Sequence, residues 1–179
     1  MGRIAASALF FAFLLASAGP SFAKGKVVAK AKIEPKSDSK LTGNATFTDD
    51  GKGKITLKVD VSGVPAGTHA VHIHDKGDCS SPDGASAGGH WNPTSEAHGA
   101  WTGEHHHLGD VGNMEVNAKG KGTITLETDK WTVSGGGTND VVGHAIVVHG
   151  GTDDFTTQPT GNAGNRIGCG VIEAAGKKK

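Results

Sequence analysis

Hydrophobic and polar residues alternate with a period of two through most of the chain. Val27, Ala29, Ala31 and Ile33 fall on one face of an extended segment, with Lys30, Lys32 and Glu34 on the other. An extended strand sends successive side chains to opposite faces, so this alternation predicts strands with one buried face. Leu41, Ala45 and Phe47 repeat the pattern, as do Ile55, Leu57, Val59 and Val61, and "DDGKG" between these runs has the composition of a hairpin turn. Shorter alternating runs follow at Ile124 and Leu126, at Ala145, Val147 and His149, and around "CGVIEA". No segment carries a helical period, and 29 glycines argue against long helices. The expected class is all-β, an antiparallel Greek-key barrel or sandwich.

Two stretches interrupt the pattern. Residues 79–110, "CSSPDGASAGGHWNPTSEAHGAWTGEHHHLGD", are rich in Gly, Ser and Pro, and "GGTDDFTTQPTGNAGN" follows His149. Structureless loops beyond about 12 to 15 residues are uncommon in compact domains unless they are functional or disordered. The first of these carries His90, His98, His105, His106, His107 and Asp110, so a floppy polar insert and a loop organised by a metal are the two competing readings. The expectation is a barrel bearing two long functional loops.

The N-terminus modifies this picture. Arg3 precedes an apolar run that ends with Ser21 and Ala23 flanking Phe22, the pattern of a secretory signal peptide over residues 1–23. Gly19 and Pro20 break the run before it reaches the ~20 residues of a spanning helix, so no integral membrane segment is expected after processing. Residues 24–179 form one domain, long enough to bury roughly two-thirds of the surface of the unfolded chain. The expected location is periplasmic or secreted, and in such a compartment an even pair of cysteines, Cys79 and Cys169, argues for a disulfide. Basic and acidic residues balance at 18 each, so no global field favours nucleic acid or an anionic membrane as a partner. The lysines of "KGKVVAKAK" and "GKKK" read as solvated faces, and nothing resembles a serine-hydrolase elbow or a phosphate loop.

The chemistry centres on "HAVHIHDKGDC". By strand parity His72 and His74 face together, whereas His69 points the other way. His149 ends another strand, and His90, His98, His107 and Asp110 lie in the first long loop. Imidazole suits both copper and zinc; four nitrogens suit Cu(II), and imidazoles with one carboxylate suit zinc. These groups are one ligand short of two four-coordinate sites. A histidine serving both metals through its two ring nitrogens closes the gap.

With these residues in place, the sequence resembles the copper/zinc superoxide dismutase family. "HIHDKGDC", "SAGGHWNP", "AHG", "HLGD", "VVH" and "TGNAGNRIGCGVI" occur in the family's order and at similar spacing over nearly the whole mature chain. The resemblance implies copper on His72, His74, His90 and His149 and zinc on His90, His98, His107 and Asp110, with His90 as the bridge. It implies that Arg166 stands beside the copper and guides the superoxide anion, that Asp153 links His72 to His98, that Thr160 lines the copper entrance, and that Cys79 pairs with Cys169. His105 and His106 read as solvated neighbours of the motif histidine, and His69 and His144, of the wrong strand parity, as structural.

Some features depart from the better-known eukaryotic members. Cys79 directly follows Asp78, as in bacterial exported members, and Trp91 stands where phenylalanine is frequent. The stretch from Asp153 to Arg166 is short and lacks the charged residues used there for steering. A homodimer stays open as a partner, although Glu173, near the region through which many members dimerise, argues against that mode. The implied activity is dismutation of superoxide. The rival readings are a non-catalytic copper- and zinc-binding or delivery protein, which would not need Arg166, and a secreted module in which metals are only staples.

Overall fold

The alternation closes into a barrel. A computed structural model of the chain describes residues 25–176, so the signal-peptide reading of residues 1–23 and the end of the lysine tail lie outside the described residues. The strands are β1 (Lys26–Pro35), β2 (Thr42–Asp49), β3 (Ile55–Ser62), β4 (Gly67–His74), β5 (Asp110–Val116), β6 (Gly122–Thr128), β7 (Ala145–His149), β8 (Arg166–Val171) and the two-residue β9 (Glu173–Ala174). Their spatial order is β2-β3-β6-β5-β4-β7-β8-β1, with β1 returning to β2 and β9 added on β1. All the strand pairings are antiparallel. Neighbours out of sequence order, β3 beside β6 and β4 beside β7, make it a Greek key.

Local chemistry sets the registers. Asp50 Oδ1 accepts the backbone N–H groups of Lys52 and Lys54 at 2.7 and 3.0 Å, which closes the turn between β2 and β3. That turn fixes Asp49 opposite Ile55, and Phe47 and Leu57 then pair on the inner face. Phe47, Leu57, Val59, Ile33, Leu41, Ile73, Ile146 and Trp131 are all essentially buried in one core. The Trp131 ring packs at 6.0 Å from Phe47, and its Nε1–H donates to Leu108 O at 3.0 Å. The "CGVIEA" run divides at buried Ile172 into β8, which pairs with both β7 and β1, and β9, which pairs with β1.

On β4 the parity reading fixes which histidines can meet. Ile73 enters the barrel core while His72 and His74 leave on the opposite face, under the long loop. That loop folds back along the strand: Trp91 N–H donates to Ile73 O at 2.9 Å, and Ile73 N–H donates to Gly109 O at 2.8 Å. Gly109 is required there, because a Cβ would sit 2.2 Å from Ile73 O. A disulfide between Cys79 and Cys169, 90 residues apart in sequence, ties the start of the loop to β8.

Candidate metal centre

Two buried clusters of ligand-capable atoms lie on the β4–β7 side of the barrel. One comprises His72, His74, His90 and His149; the other comprises His90, His98, His107 and Asp110, and within each the ligand atoms lie within 4.8 Å of one another. His72 and His74 come from β4 and His149 from the end of the neighbouring β7. His90 reaches them because it forms an isolated antiparallel bridge with His74. Asp110 opens β5 directly opposite His72, across a register shift in the β4–β5 pairing. His90 therefore belongs to both clusters, its ring centroid 4.0 Å from His72 and 5.5 Å from His107.

The hydrogen bonds around the first cluster decide which ring nitrogens are bare. His72 Nε2–H donates to Asp153 Oδ2 at 2.8 Å, His74 Nδ1–H to Gly88 O at 2.9 Å, and His149 Nδ1–H to Gly164 O at 3.2 Å. His90 Nδ1 meets Asp110 Oδ1 at 2.8 Å. The opposite nitrogens are left as lone pairs. His72 Nδ1 and His90 Nε2 are buried without a hydrogen-bond partner among the described residues, and His74 Nε2 and His149 Nε2 face each other at 3.3 Å. Four lone pairs converging away from water are mutually repulsive unless a cation stands between them. Burial, reinforced by neighbouring histidines and Arg166, holds His74 down at about 2 and His149 at about 3, and burial holds His90 down at about 4 against the opposing pull of Asp110. These three rings are held neutral, the form that binds a metal.

The second cluster has the opposite bias. His98 Nε2 meets Asp153 Oδ1 at 2.9 Å, and its Nδ1 lies 3.0 Å from Asp110 Oδ2. Burial works against a charge on His98, yet the two carboxylates outweigh it and push the ring up to about 9. Burial likewise opposes the charge on Asp110, but contacts from His107, His90 and His98 hold its carboxyl far below the usual carboxylate range. A positive charge is favoured here. Three imidazoles and one carboxylate with this bias are the donor set of a four-coordinate zinc site, while the first cluster offers nitrogens only, which copper accepts. Asp153 lies between the clusters, one oxygen on each ring, and its backbone is held by Asn113 of β5, which donates from Nδ2 to Asp153 O and accepts Asp153 N–H at Oδ1, both at 2.9 Å.

Arg166 opens β8 opposite His149. Its Nη1 and Nη2 donate to Gly84 O and Gly88 O, each at 2.7 Å, so Gly88 O serves both Arg166 and His74. Both carbonyls lie in the loop that the disulfide pins. Thr160 is half-buried, one residue before the buried Gly161.

The histidines outside the clusters divide differently from the sequence expectation. His105 is exposed and contacts Glu96 at 2.8 Å, as a solvated neighbour would. His106 is not solvated: it is 6% exposed, stacks 4.4 Å from Trp101, accepts from Lys130 Nζ at 2.7 Å, and approaches His107 O at 2.8 Å. Trp101 and Lys130, distant in sequence, supply an apolar face and a donor that the run "HHH" did not reveal. His69 is buried between His149 O and Pro65 O at 2.9 and 3.0 Å, and His144 stacks on Trp91 at 4.6 Å. Sequence reasoning did not single out Asn113, Gly161 or Gln158; only Gly161 carried a signal, in "TGNAGN".

Comparison with known proteins gives a concordant picture. The family model described as copper/zinc superoxide dismutase matches residues 41–172. A crystal structure of the clock protein EA4 is 33% identical, covers 87% of this chain and 99% of its own, and superposes with a TM-score of 0.72.

Proposed function

The chain belongs to the copper/zinc superoxide dismutase family, and from that premise we propose that it converts superoxide and protons into oxygen and hydrogen peroxide. The observation that carries this reading is the convergence of four proton-free imidazole nitrogens beside an arginine that shares the Gly88 carbonyl with His74. His72, His74, His90 and His149 would hold copper, and His90, His98, His107 and Asp110 would hold zinc. When bound, copper supplies a one-electron couple that takes an electron from one superoxide and returns it to the next, while zinc supplies a fixed charge without redox chemistry.

The chain's own residues do the rest. Arg166 attracts and docks the anion with a permanent planar cation, and the carbonyls of Gly84 and Gly88 hold that cation in place. Formation of peroxide consumes protons, and the bare His90 Nε2 is the nitrogen that would take one up and pass it on, while Nδ1 stays within the second cluster. Asp153 fixes the orientation of His72 and His98 together. Thr160 lines the approach for the anion. The disulfide fits an oxidising extracytoplasmic compartment, with residues 1–23 as the export signal, and among the described residues no helix is long and apolar enough to cross a membrane.

A non-catalytic metal-binding role is the second reading, favoured by one observation: a protein of the same fold at 33% identity is described as a clock protein. Superoxide decay after pulse radiolysis, with copper and zinc quantified in the same sample, separates the two. We expect fast decay proportional to bound copper and weakened by salt, and several-fold slower decay in Arg166→Ala with both metals retained. Full metal occupancy without catalysis would establish the non-catalytic reading instead.

A further inference from the structure

His98 is 3% exposed, so its backbone N–H and C=O are cut off from water and need partners within the protein. They find both in one side chain. Gln158 Oε1 accepts His98 N–H at 2.9 Å, and Gln158 Nε2 donates to His98 O at 2.9 Å, with a longer contact from Nε2 to Thr156 O at 3.4 Å. A carboxamide pairs an acceptor oxygen with a donor NH2 group, the complement of a peptide unit's donor and acceptor. A carboxylate would satisfy only the N–H, and an apolar side chain neither.

The segment that presents Gln158 is braced from within. Asp154 Oδ1 accepts the backbone N–H groups of Thr156 and Thr157 at 2.9 and 2.8 Å, Asp154 N–H donates to Gly161 O at 3.0 Å, and Gly161 N–H donates to Thr157 O at 2.7 Å. Its base closes against Asp153 and His98: a Cβ on Gly161 would fall 1.8 Å from Asp153 Oδ1 and 2.6 Å from His98 Nε2. The second irregular stretch therefore grips His98 twice, at the ring through Asp153 and at the backbone through Gln158. His107 and Gly99 are tied differently, each donating its N–H to Asp110 Oδ2, at 2.8 and 3.2 Å. Gln158 alone supplies the partners of the His98 peptide groups among the described residues.

We propose that Gln158 is a positioning residue for the second cluster, clamping the His98 backbone so that the His98 ring is aimed at Asp110 and His90 before any ion binds. The proposal rests on reading that cluster as the zinc site. Residues that orient metal ligands typically contribute about 10- to 100-fold in affinity, and Gln158, sitting at the surface, belongs at the low end. Gln158→Ala lowers zinc affinity about tenfold, while copper affinity at the first cluster stays within about twofold. Gln158→Glu keeps the acceptor for His98 N–H but loses the donor, and falls between the two.

The test measures zinc and copper affinities by chelator competition for the wild type, Gln158→Ala and Gln158→Glu, and amide exchange at His98 in the metal-free proteins. The expected result is the affinity order above, together with faster His98 exchange in Gln158→Ala and no change in exchange for the β3 amides. Wild-type zinc affinity in Gln158→Ala, with zinc bound stoichiometrically by the wild type, would overturn the clamp. Equal loss of copper and zinc affinity, with β3 amides also exposed, would overturn it in favour of general destabilisation. A wild type that takes no zinc at the second cluster would overturn the site reading itself, a result distinguishable because His98 exchange reports the clamp without any metal.

Discussion

Single atoms decide the chemistry of this protein. Each histidine of the first cluster has one nitrogen occupied by a fixed acceptor, and that occupation aims the other. The acceptors are of different kinds, two carboxylates and two backbone carbonyls, so no pattern of acidic residues in the sequence could report them all. Gly161 shows how little room the arrangement leaves. It sits at φ +67°, in the left-handed region that side chains rarely adopt, and its missing Cβ is the space in which Asp153 meets His98.

 At that φ a side chain is strained whatever the space around it. Gly161→Ala is therefore expected to destabilise the fold by about 1 to 3 kcal/mol and to part Asp153 from His98. A thermal melt and a zinc titration check this: an unchanged melt with full zinc uptake would mean that the loop yields freely at this point.

At the scale of elements, strands supply fixed ligands and loops supply the rest. β4 and β7 carry His72, His74 and His149 on a hydrogen-bonded ladder, so their spacing is set by the sheet. The loop over residues 79–109 has no such ladder and is held at intervals instead, by the disulfide, by the His74–His90 bridge and by the Ile73 contacts with Trp91 and Gly109. Arg166 depends on that loop, because Gly84 O and Gly88 O are its anchors. On the chain-entropy account, a disulfide closing a span of 90 residues contributes roughly 4 to 5 kcal/mol. Reduction of the bridge is expected to lower the melting temperature and to slow superoxide decay more than it lowers copper occupancy. Equal losses of rate and copper would show that the loop supports the histidines and not the arginine.

For the whole molecule, the barrel and the metal centre are separable in what stabilises them. The core around Phe47, Leu57, Ile73, Ile146 and Trp131 is built mainly of apolar contacts, whereas the clusters bury polar atoms that lack hydrogen-bond partners among the described residues. Ions that bind only the folded chain stabilise it by mass action. Treatment with a chelator is expected to lower the melting temperature and to speed amide exchange in residues 79–109 and 150–165, while the amides of β2 and β3 stay protected. Loss of protection throughout would show that the barrel needs its metals to fold.

The sequence by itself determined most of the strands, their buried faces and the ligand-type residues, because period-two alternation and dense histidine motifs are local signals; β5, which lacks a clean alternation, emerged only in the structure. It placed His72 with His74 by parity, and the family motifs supplied the further candidates that the structure brings into the two clusters. His106 was misread as solvated because its neighbours Trp101 and Lys130 are brought to it by the fold. Asn113 and Gln158 were invisible for the same reason: a carboxamide that clamps a distant backbone looks like any surface amide until the loops are in place. Only the tertiary structure decided which nitrogen of each ring is bare, since that depends on acceptors distant in sequence: Asp153 and Asp110 for His72 and His90, Gly88 O and Gly164 O for His74 and His149.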